Sequence, residues 1–499
     1  MTTAAAKAEP GIYPRTGLAG FFEKFLVLKG AIRELWLVFA IKLLAVAAYA
    51  VTNSTVKLWL SSDLGYADRP ALSWVTAWSV LMTLVTLLVG SLTDALGLRR
   101  TFFLGVWICI VARAVMVCTT VHWLVLGCGL LPLALGEALG NPVIVASVRR
   151  YSNTQQRSIS FSIAYMMMNL GFFVAGYAYD WVRQGLGEHG HLNLLGWQIS
   201  TYRTLFLVSL TIEISLLPIL YFLRKGAEAT DQGLRIVTEP AKYPKANMWA
   251  SFWLTVRDSL SDTAQLFAGL LRQTAFYRLL AFLVLIGLLK LIMVQMYYIY
   301  PDFGIRELGD GAPIGHLWAI NSVLIVILVP VIGALTQKFP AYRMVIIGGV
   351  ISAGSVFIMA MPTVWFEPVA KSFLGSWLGH GYLGLTGSVH PYYVMIASYV
   401  VLLSIGEAFY SPRVYEYAAA IAPEGREASY GALSYVPLFL AKLLVGPFLG
   451  VLLAKYCPEH GARHSATMWL ILGMATAMAP MGLLAFRRYI RVHEAGRDE

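Results

Sequence analysis

Twelve apolar runs of membrane-crossing length follow one another along this chain, and that succession limits its fold more than any other feature. They cover 31-60, 72-96, 101-120, 124-148, 158-182, 203-224, 279-300, 315-337, 343-361, 391-419, 428-454 and 466-488. About 20 apolar residues cross a bilayer as a helix. In hydrocarbon each backbone N–H and C=O has to be bonded within the protein, so runs of this length are read as helices. Composition agrees. Of 499 residues only 13% are charged and 58% are hydrophobic, against roughly a quarter charged in a soluble chain. The sequence therefore predicts an all-α membrane protein with 12 transmembrane helices.

Lysine and arginine set the orientation, because they accumulate in cytoplasmic segments. With the N-terminus inside, the cytoplasmic segments hold 25 basic residues and the outer loops seven. Both termini are then cytoplasmic, in a cell (plasma or inner) membrane. The same asymmetry accounts for the net charge of +11 without a nucleic-acid partner. Cys109, Cys118, Cys128 and Cys457 show no metal spacing and suggest no disulfide framework. No cleavable signal peptide is apparent, and no cofactor is expected.

The domain organisation follows from these runs. A cytoplasmic segment, 1-30, leads into a first six-helix bundle, 31-224. A cytoplasmic linker, 225-278, precedes a second bundle, 279-488, and a tail, 489-499. The linker begins polar, from Gly226 to Asn247. Its second part, 249-272, has apolar residues at helical spacing among Arg257, Asp258, Asp262 and Arg272. That pattern fits a helix lying on the membrane surface and equally an extension of the seventh helix. The outer loop 362-390 is rich in glycine and aromatics and is expected at the interface.

The two halves repeat each other. Gly136-Glu137-Ala138 with Pro142 recurs as Gly406-Glu407-Ala408 with Pro412, an offset of 270. Gly90 and Arg100 recur as Gly333 and Arg343, an offset of 243, and Lys42 matches Lys290 at 248. Gln337 and Pro340 stand where the first copy has Asp94 and Gly97. Six helices plus six, related by a pseudo-twofold axis along the membrane normal, is the architecture such repeats imply.

Between the second and third runs lies Gly90 to Arg100, GSLTDALGLRR. It resembles the loop signature of the major facilitator superfamily, G-x-x-x-D-x-x-G-x-R-R/K, with Gly90, Asp94, Gly97, Arg99 and Arg100 at the fixed places. The resemblance implies the major facilitator fold, a central cavity lined by helices 1, 4, 7 and 10, and alternating access. The loop, with Arg149 or Arg150, would latch the cytoplasmic side.

Charges inside a bilayer are costly and face a cavity or a partner. The first run carries Lys42 and Lys57, the fourth Glu137, the seventh Lys290, and the tenth Glu407, Arg413 and Glu416. Lys42, Tyr49, Asn53 and Lys57 share one helical stripe, as do Glu407, Tyr410 and Tyr417. Such stripes suit a polar or zwitterionic solute. Lys57 is read either as part of this stripe or as snorkelling to the outer surface. Arg413 and Glu416 are read as a structural pair. Arg113 and Glu213 are read as structural groups on scaffold helices.

A second resemblance is narrower and covers about a quarter of the chain. Tyr165, Asn169 and Gly171, preceded by Arg157 and Phe161, and the stretch GEAFYSP from Gly406, resemble the proton-dependent oligopeptide transporter family. It implies that Glu407 receives a peptide amino terminus. The chain departs from that family at the helix 1 E-x-x-E-R motif, where Lys42, Ala45 and Val46 stand. It departs again in helix 4, where Gly140 replaces a lysine before Asn141-Pro142.

The expected function is secondary active transport of a small polar or zwitterionic solute, proton-coupled and peptide-like, by a monomer. Drug or metabolite efflux is the alternative within the superfamily. A non-transporting sensor or scaffold on the same fold is the alternative of another class. An enzyme is not expected, because the nine histidines are dispersed.

Overall fold

A computed structural model describes residues 27–153, 156–194, 196–230, 233–236, 272–336, 339–421 and 436–490, with isolated positions between 250 and 261. Twelve long helices follow the apolar runs. In the first half they are α1 (Arg33–Ser62), α2 (Asp68–Leu96), α3 (Leu98–Cys118), α4 (His122–Arg150), α5 (Arg157–Leu186) and α6 (Thr201–Tyr221). In the second they are α7 (Thr274–Tyr298), α8 (Ile314–Leu335), α9 (Ala341–Ile358), α10 (Pro391–Ile421), α11 (Val436–Tyr456) and α12 (Ser465–Ala485). Eleven helices, α2 excepted, are long and apolar enough among the described residues to cross a membrane. The chain is a multi-pass membrane protein. Below, the end of the bundle that holds the segments just before α1 and just after α12 is called proximal, and the opposite end distal.

The turn between α2 and α3 is only one residue wide. Gly97 makes it with φ +81°, a backbone region that a side chain would strain. Beyond α7 the chain continues after Ile299 as a short helix, Tyr300–Leu308, which carries Asp302 and Arg306 across the distal end.

The half-to-half repeat is present in three dimensions. α3 crosses α4 at Gly105 and Gly136, so closely that a Cβ on Gly136 would stand 2.9 Å from the Gly105 carbonyl oxygen. α9 crosses α10 in the same way, with a Cβ on Gly348 placed 2.5 Å from the Gly406 carbonyl oxygen. The offsets between these two pairs are 243 and 270, the two found in the sequence. Small residues let helix backbones approach where lipid gives no hydrophobic drive. Pro142 in α4 and Pro412 in α10 also correspond, each inside its helix.

The structure adds local detail to the helical fold expected from sequence. Two short antiparallel hairpins interrupt the all-helical picture. One pairs β1 (His191–Leu194) with β2 (Trp197–Ser200) between α5 and α6. The other pairs β3 (Ala227–Thr230) with β4 (Gly233–Ile236) in the stretch read as a plain linker. Gly196, at positive φ, supplies the turn chemistry of the first hairpin, and Gly233, also at positive φ, opens β4. The stretch 249-272 lies largely outside the described residues, as do 422–435 before α11. The loop 362-390 forms short helical turns that leave Trp365, Phe373 and Trp377 exposed.

Candidate functional site

α10 brings Glu407 to the middle of the second bundle, where it is 6% exposed. Asn321 of α8 donates from Nδ2 to the Glu407 carboxylate at 3.2 Å and to Ser404 Oγ at 3.0 Å. Lys290 of α7 lies within electrostatic range of Glu407 but makes no ion pair with it among the described contacts. Its ammonium sits over the Tyr410 ring at 4.9 Å instead. A cation held on an aromatic face beside a carboxylate is a polar pocket with both signs of charge.

The equivalent carboxylate of the first bundle is held differently. Arg113 of α3 is fully buried and donates to Glu137 of α4, to Glu213 of α6 at 3.1 Å, and to Thr52 of α1 at 3.2 Å. Thr52 shares a hydrogen bond with Ser209 of α6 at 2.9 Å. Arg113 and Glu213, read from sequence as scaffold groups, form a knot that grips Glu137. Lys442 of α11, buried in the second bundle, lies within electrostatic range of Glu137.

The two bundles are fastened in their distal half. Lys57 is 0% exposed and donates to Asp68 of α2 at 2.7 Å and to Asp302 beyond α7. It does not snorkel, because both carboxylates meet it inside the protein. Arg306 donates to both oxygens of Asp68, at 3.0 and 2.8 Å. Burial pushes the Asp302 carboxyl above its usual range against the pull of Lys57 and Arg306. Burial acts the same way on Asp68, but the Arg306 hydrogen bonds and the Lys57 charge overcome it and hold Asp68 at about 2.

A second fastening joins α5 to α8. Asp180 accepts from the backbone of Gly315 at 3.0 Å and of His316 at 2.7 Å, and pairs with the His316 ring. Arg183 donates to the Ala312 carbonyl at 3.2 Å and grips Glu188. Gly176 and Gly315 let these helices touch, since a Cβ on Gly176 would stand 2.7 Å from the Gly315 carbonyl oxygen. On the pseudo-symmetric side, Gly446 N of α11 donates to Thr76 Oγ1 of α2 at 2.8 Å.

A family model described as the Major Facilitator Superfamily matches residues 38–390. The chain belongs to the Major Facilitator Superfamily. It is a transporter by that membership, not an enzyme. No curated protein matches the sequence. Solved structures of similar fold include a POT family transporter in complex with 5-aminolevulinic acid, at 16% identity and TM-score 0.65, covering 92% of this chain and 97% of that one. A structure from work on substrate recognition in proton dependent oligopeptide transporters matches at 18% identity and TM-score 0.63, covering 92% and 99%. A peptide transporter POT in complex with sulfate matches at 16% and 0.64, covering 94% and 98%. At these identities the likeness is one of fold.

Within this facilitator, the expected cavity residues fall into separate groups. Asn53 accepts from Tyr298 OH at 2.6 Å, a bond between α1 and α7, and Ser79 of α2 lies 3.4 Å from the same hydroxyl. Tyr49, one turn from Asn53, is within electrostatic range of Glu137, Tyr297 and Tyr298. Lys42 is buried, 7% exposed. Asn169 is buried and donates to the Tyr165 carbonyl of its own helix at 3.0 Å. An aromatic crevice of 30 Å³ opens between the bundles, walled by Phe172, Tyr179, Tyr297, Tyr300 and Trp318 with Ser54. It has room for about two water molecules.

Of the loop motif, the described side chains are those of Arg99 and Arg100. Arg99 donates to the Tyr221 carbonyl at 2.9 Å and lies over the Phe103 and Tyr221 rings, so it ties α3 to α6 within one bundle. Arg100 and Arg149 are exposed, and Arg150 is half-buried with contacts of its own. The side chains of Asp94, Arg157 and Glu416 lie outside the description. Arg413 donates to Thr336 Oγ1 of α8 at 2.9 Å.

Sequence reasoning missed Lys442 and the Asp68–Asp302–Arg306 cluster. Lys442 carried a signal, as a charge inside the eleventh apolar run. Asp68, Asp302 and Arg306 sit at run ends, where charge is ordinary.

Proposed function

We propose that this facilitator moves a small zwitterionic, peptide-like solute across a cell membrane by alternating access, coupled to protons. The observation that carries the reading is Glu407, buried and bonded to Asn321, with the Lys290 ammonium nearby on Tyr410. An α-amino group suits Glu407, and a carboxylate suits Lys290. The printed identities of the similar folds, peptide and oligopeptide transporters, support the same substrate class. Both termini are cytoplasmic by the distribution of lysine and arginine, so the distal end faces outward. The distal fastenings then correspond to a state open toward the inside. The protein acts as a monomer of two six-helix domains, 31-224 and 279-488, joined by 225-278, and needs no cofactor other than the coupling ion.

The test is ligand-dependent thermal stability of the purified protein. The panel holds di- and tripeptides, amino acids, nucleosides, sugars and cationic drugs. A ligand at 100 times its Kd stabilises by about 2.7 kcal/mol. A peptide effect that is lost in Glu407→Gln supports the reading. An effect from cationic drugs alone replaces it with efflux. No effect from any class favours a sensor.

A further inference from the structure

Two carboxylates converge on one buried guanidinium in the first bundle. Arg113 is 0% exposed, and the side chains of Glu137 and Glu213 are 12% and 7% exposed. One guanidinium neutralises one carboxylate. A second carboxylate at membrane depth needs another cation or a proton.

Among the described residues, few groups face this pair. α1 presents Tyr49 and Thr52, α3 presents Cys109 and Arg113, α4 presents Glu137, α6 presents Glu213, and α11 presents Lys442. Thr52, Cys109 and Tyr49 add no positive charge. Among the described residues, the cations that Glu137 meets are Arg113, in its own bundle, and Lys442, in the other. The distance from Glu137 to Arg113 is fixed by one rigid bundle. Its distance to Lys442 changes whenever the bundles rock.

We propose that Glu137 and Glu213 together form a proton-binding site on Arg113, and that Lys442 controls its occupancy. With Lys442 close, both carboxylates are ionised. As α11 withdraws, one O–H bond forms at a carboxylate oxygen, with the proton drawn from water at Glu137, the more exposed of the two. When α11 returns, that bond breaks and the proton goes back to water on the side then open. The site rests on the alternating-access, proton-coupled reading above but uses no substrate group, so it stands apart from the peptide assignment of Glu407. It differs from a permanent structural knot, which would hold the same protonation in every state.

Difference infrared spectroscopy of the substrate-free, full-length protein in lipid tests this. The pH is stepped and the carboxylic-acid carbonyl band is followed. The expected result is a titrating band that disappears in Glu137→Gln and in Glu213→Gln. In Lys442→Met the midpoint moves to higher pH by about one unit, because removal of a cation favours the protonated form. A band that survives in both Gln variants overturns the proposal. So does a midpoint that Lys442→Met leaves unmoved, and that variant, which keeps all three members of the knot, decides the matter if either Gln variant misfolds. Because no solute is present, failure of the ligand panel leaves this result intact.

Discussion

The Lys57 ammonium bonds to the Asp302 carboxylate across 245 residues of chain, joining the first helix of one bundle to the end of the first helix of the other. Neither side chain reaches water freely, at 0% and 3% exposure. Removing one partner of a buried pair costs about 3–5 kcal/mol where it strands the other, and less here, because Lys57 keeps Asp68 at 2.7 Å. Asp302→Asn is expected to lower thermal stability accordingly and to open the distal end. In a background without the native cysteines, Ser54→Cys in the aromatic crevice should then react faster with an impermeant maleimide. Unchanged labelling in a folded Asp302→Asn protein would show that this pair does not hold the end shut.

Asp68 and Asp302 should give opposite pH slopes. Asp68 is held at about 2, below its ordinary 3.8. Its contribution is fully present above the ordinary value and is lost as pH falls through the folded one, an effect of roughly 2 kcal/mol. Asp302 is pushed up by burial. It therefore favours the fold at acid pH and loses that favour as pH rises past its folded value. Thermal melts from pH 6 down to 3 should be flatter for Asp68→Asn than for the parent. A steeper acid loss in that variant would contradict the assignment.

The glycine crossings can be tested by adding one carbon. Gly348→Ala places a Cβ 2.5 Å from the Gly406 carbonyl oxygen and 2.7 Å from the Tyr410 backbone nitrogen. Backbone cannot rotate out of the way, so α9 and α10 must part, at a cost of about 1–3 kcal/mol. Gly354→Ala on the same helix meets nothing within 4 Å and should be close to neutral. Equal melting temperatures for the two variants would remove the crossing as a stabilising feature.

The distal loop is expected to touch lipid. Trp365, Phe373 and Trp377 are 67%, 82% and 60% exposed, on short turns beside lipid-facing helices. Tryptophan favours the membrane interface. Lipids brominated near the headgroup should quench part of the fluorescence, and that part should shrink in Trp365→Phe and Trp377→Phe. Quenching only by bromine at the chain ends would sink the loop into the hydrocarbon instead, and none at all would place it in water.

Much of this fold was legible because run length and charge asymmetry are local properties. The helix ends fall within a few residues of the apolar runs, apart from the undescribed start of α11. The half-to-half repeat was legible for a related reason, since Gly136 and Gly406 are set by backbone approach and leave a mark in sequence. Pairing was not legible. Helical periodicity says which face Glu137 and Arg113 share with their own helices, but not that α3 turns Arg113 toward α4 and α6. Lys57 and Asp302 lie too far apart in sequence for any pattern to join them. The hairpins were missed because four-residue strands leave no periodic trace, and only Gly196 and Gly233 marked them.

The matched crossings have a consequence for how alike the halves really are. Under the offset of 243 that carries Gly105 to Gly348, the place of Arg113 is taken by Val356, buried in α9. The helix crossings beside Glu137 and Glu407 match, but the first carboxylate meets a guanidinium and the second an amide. A facilitator of this kind can thus specialise its halves without touching its scaffold. An arginine at 356 would set a cation at the place in the second half that Arg113 holds in the first.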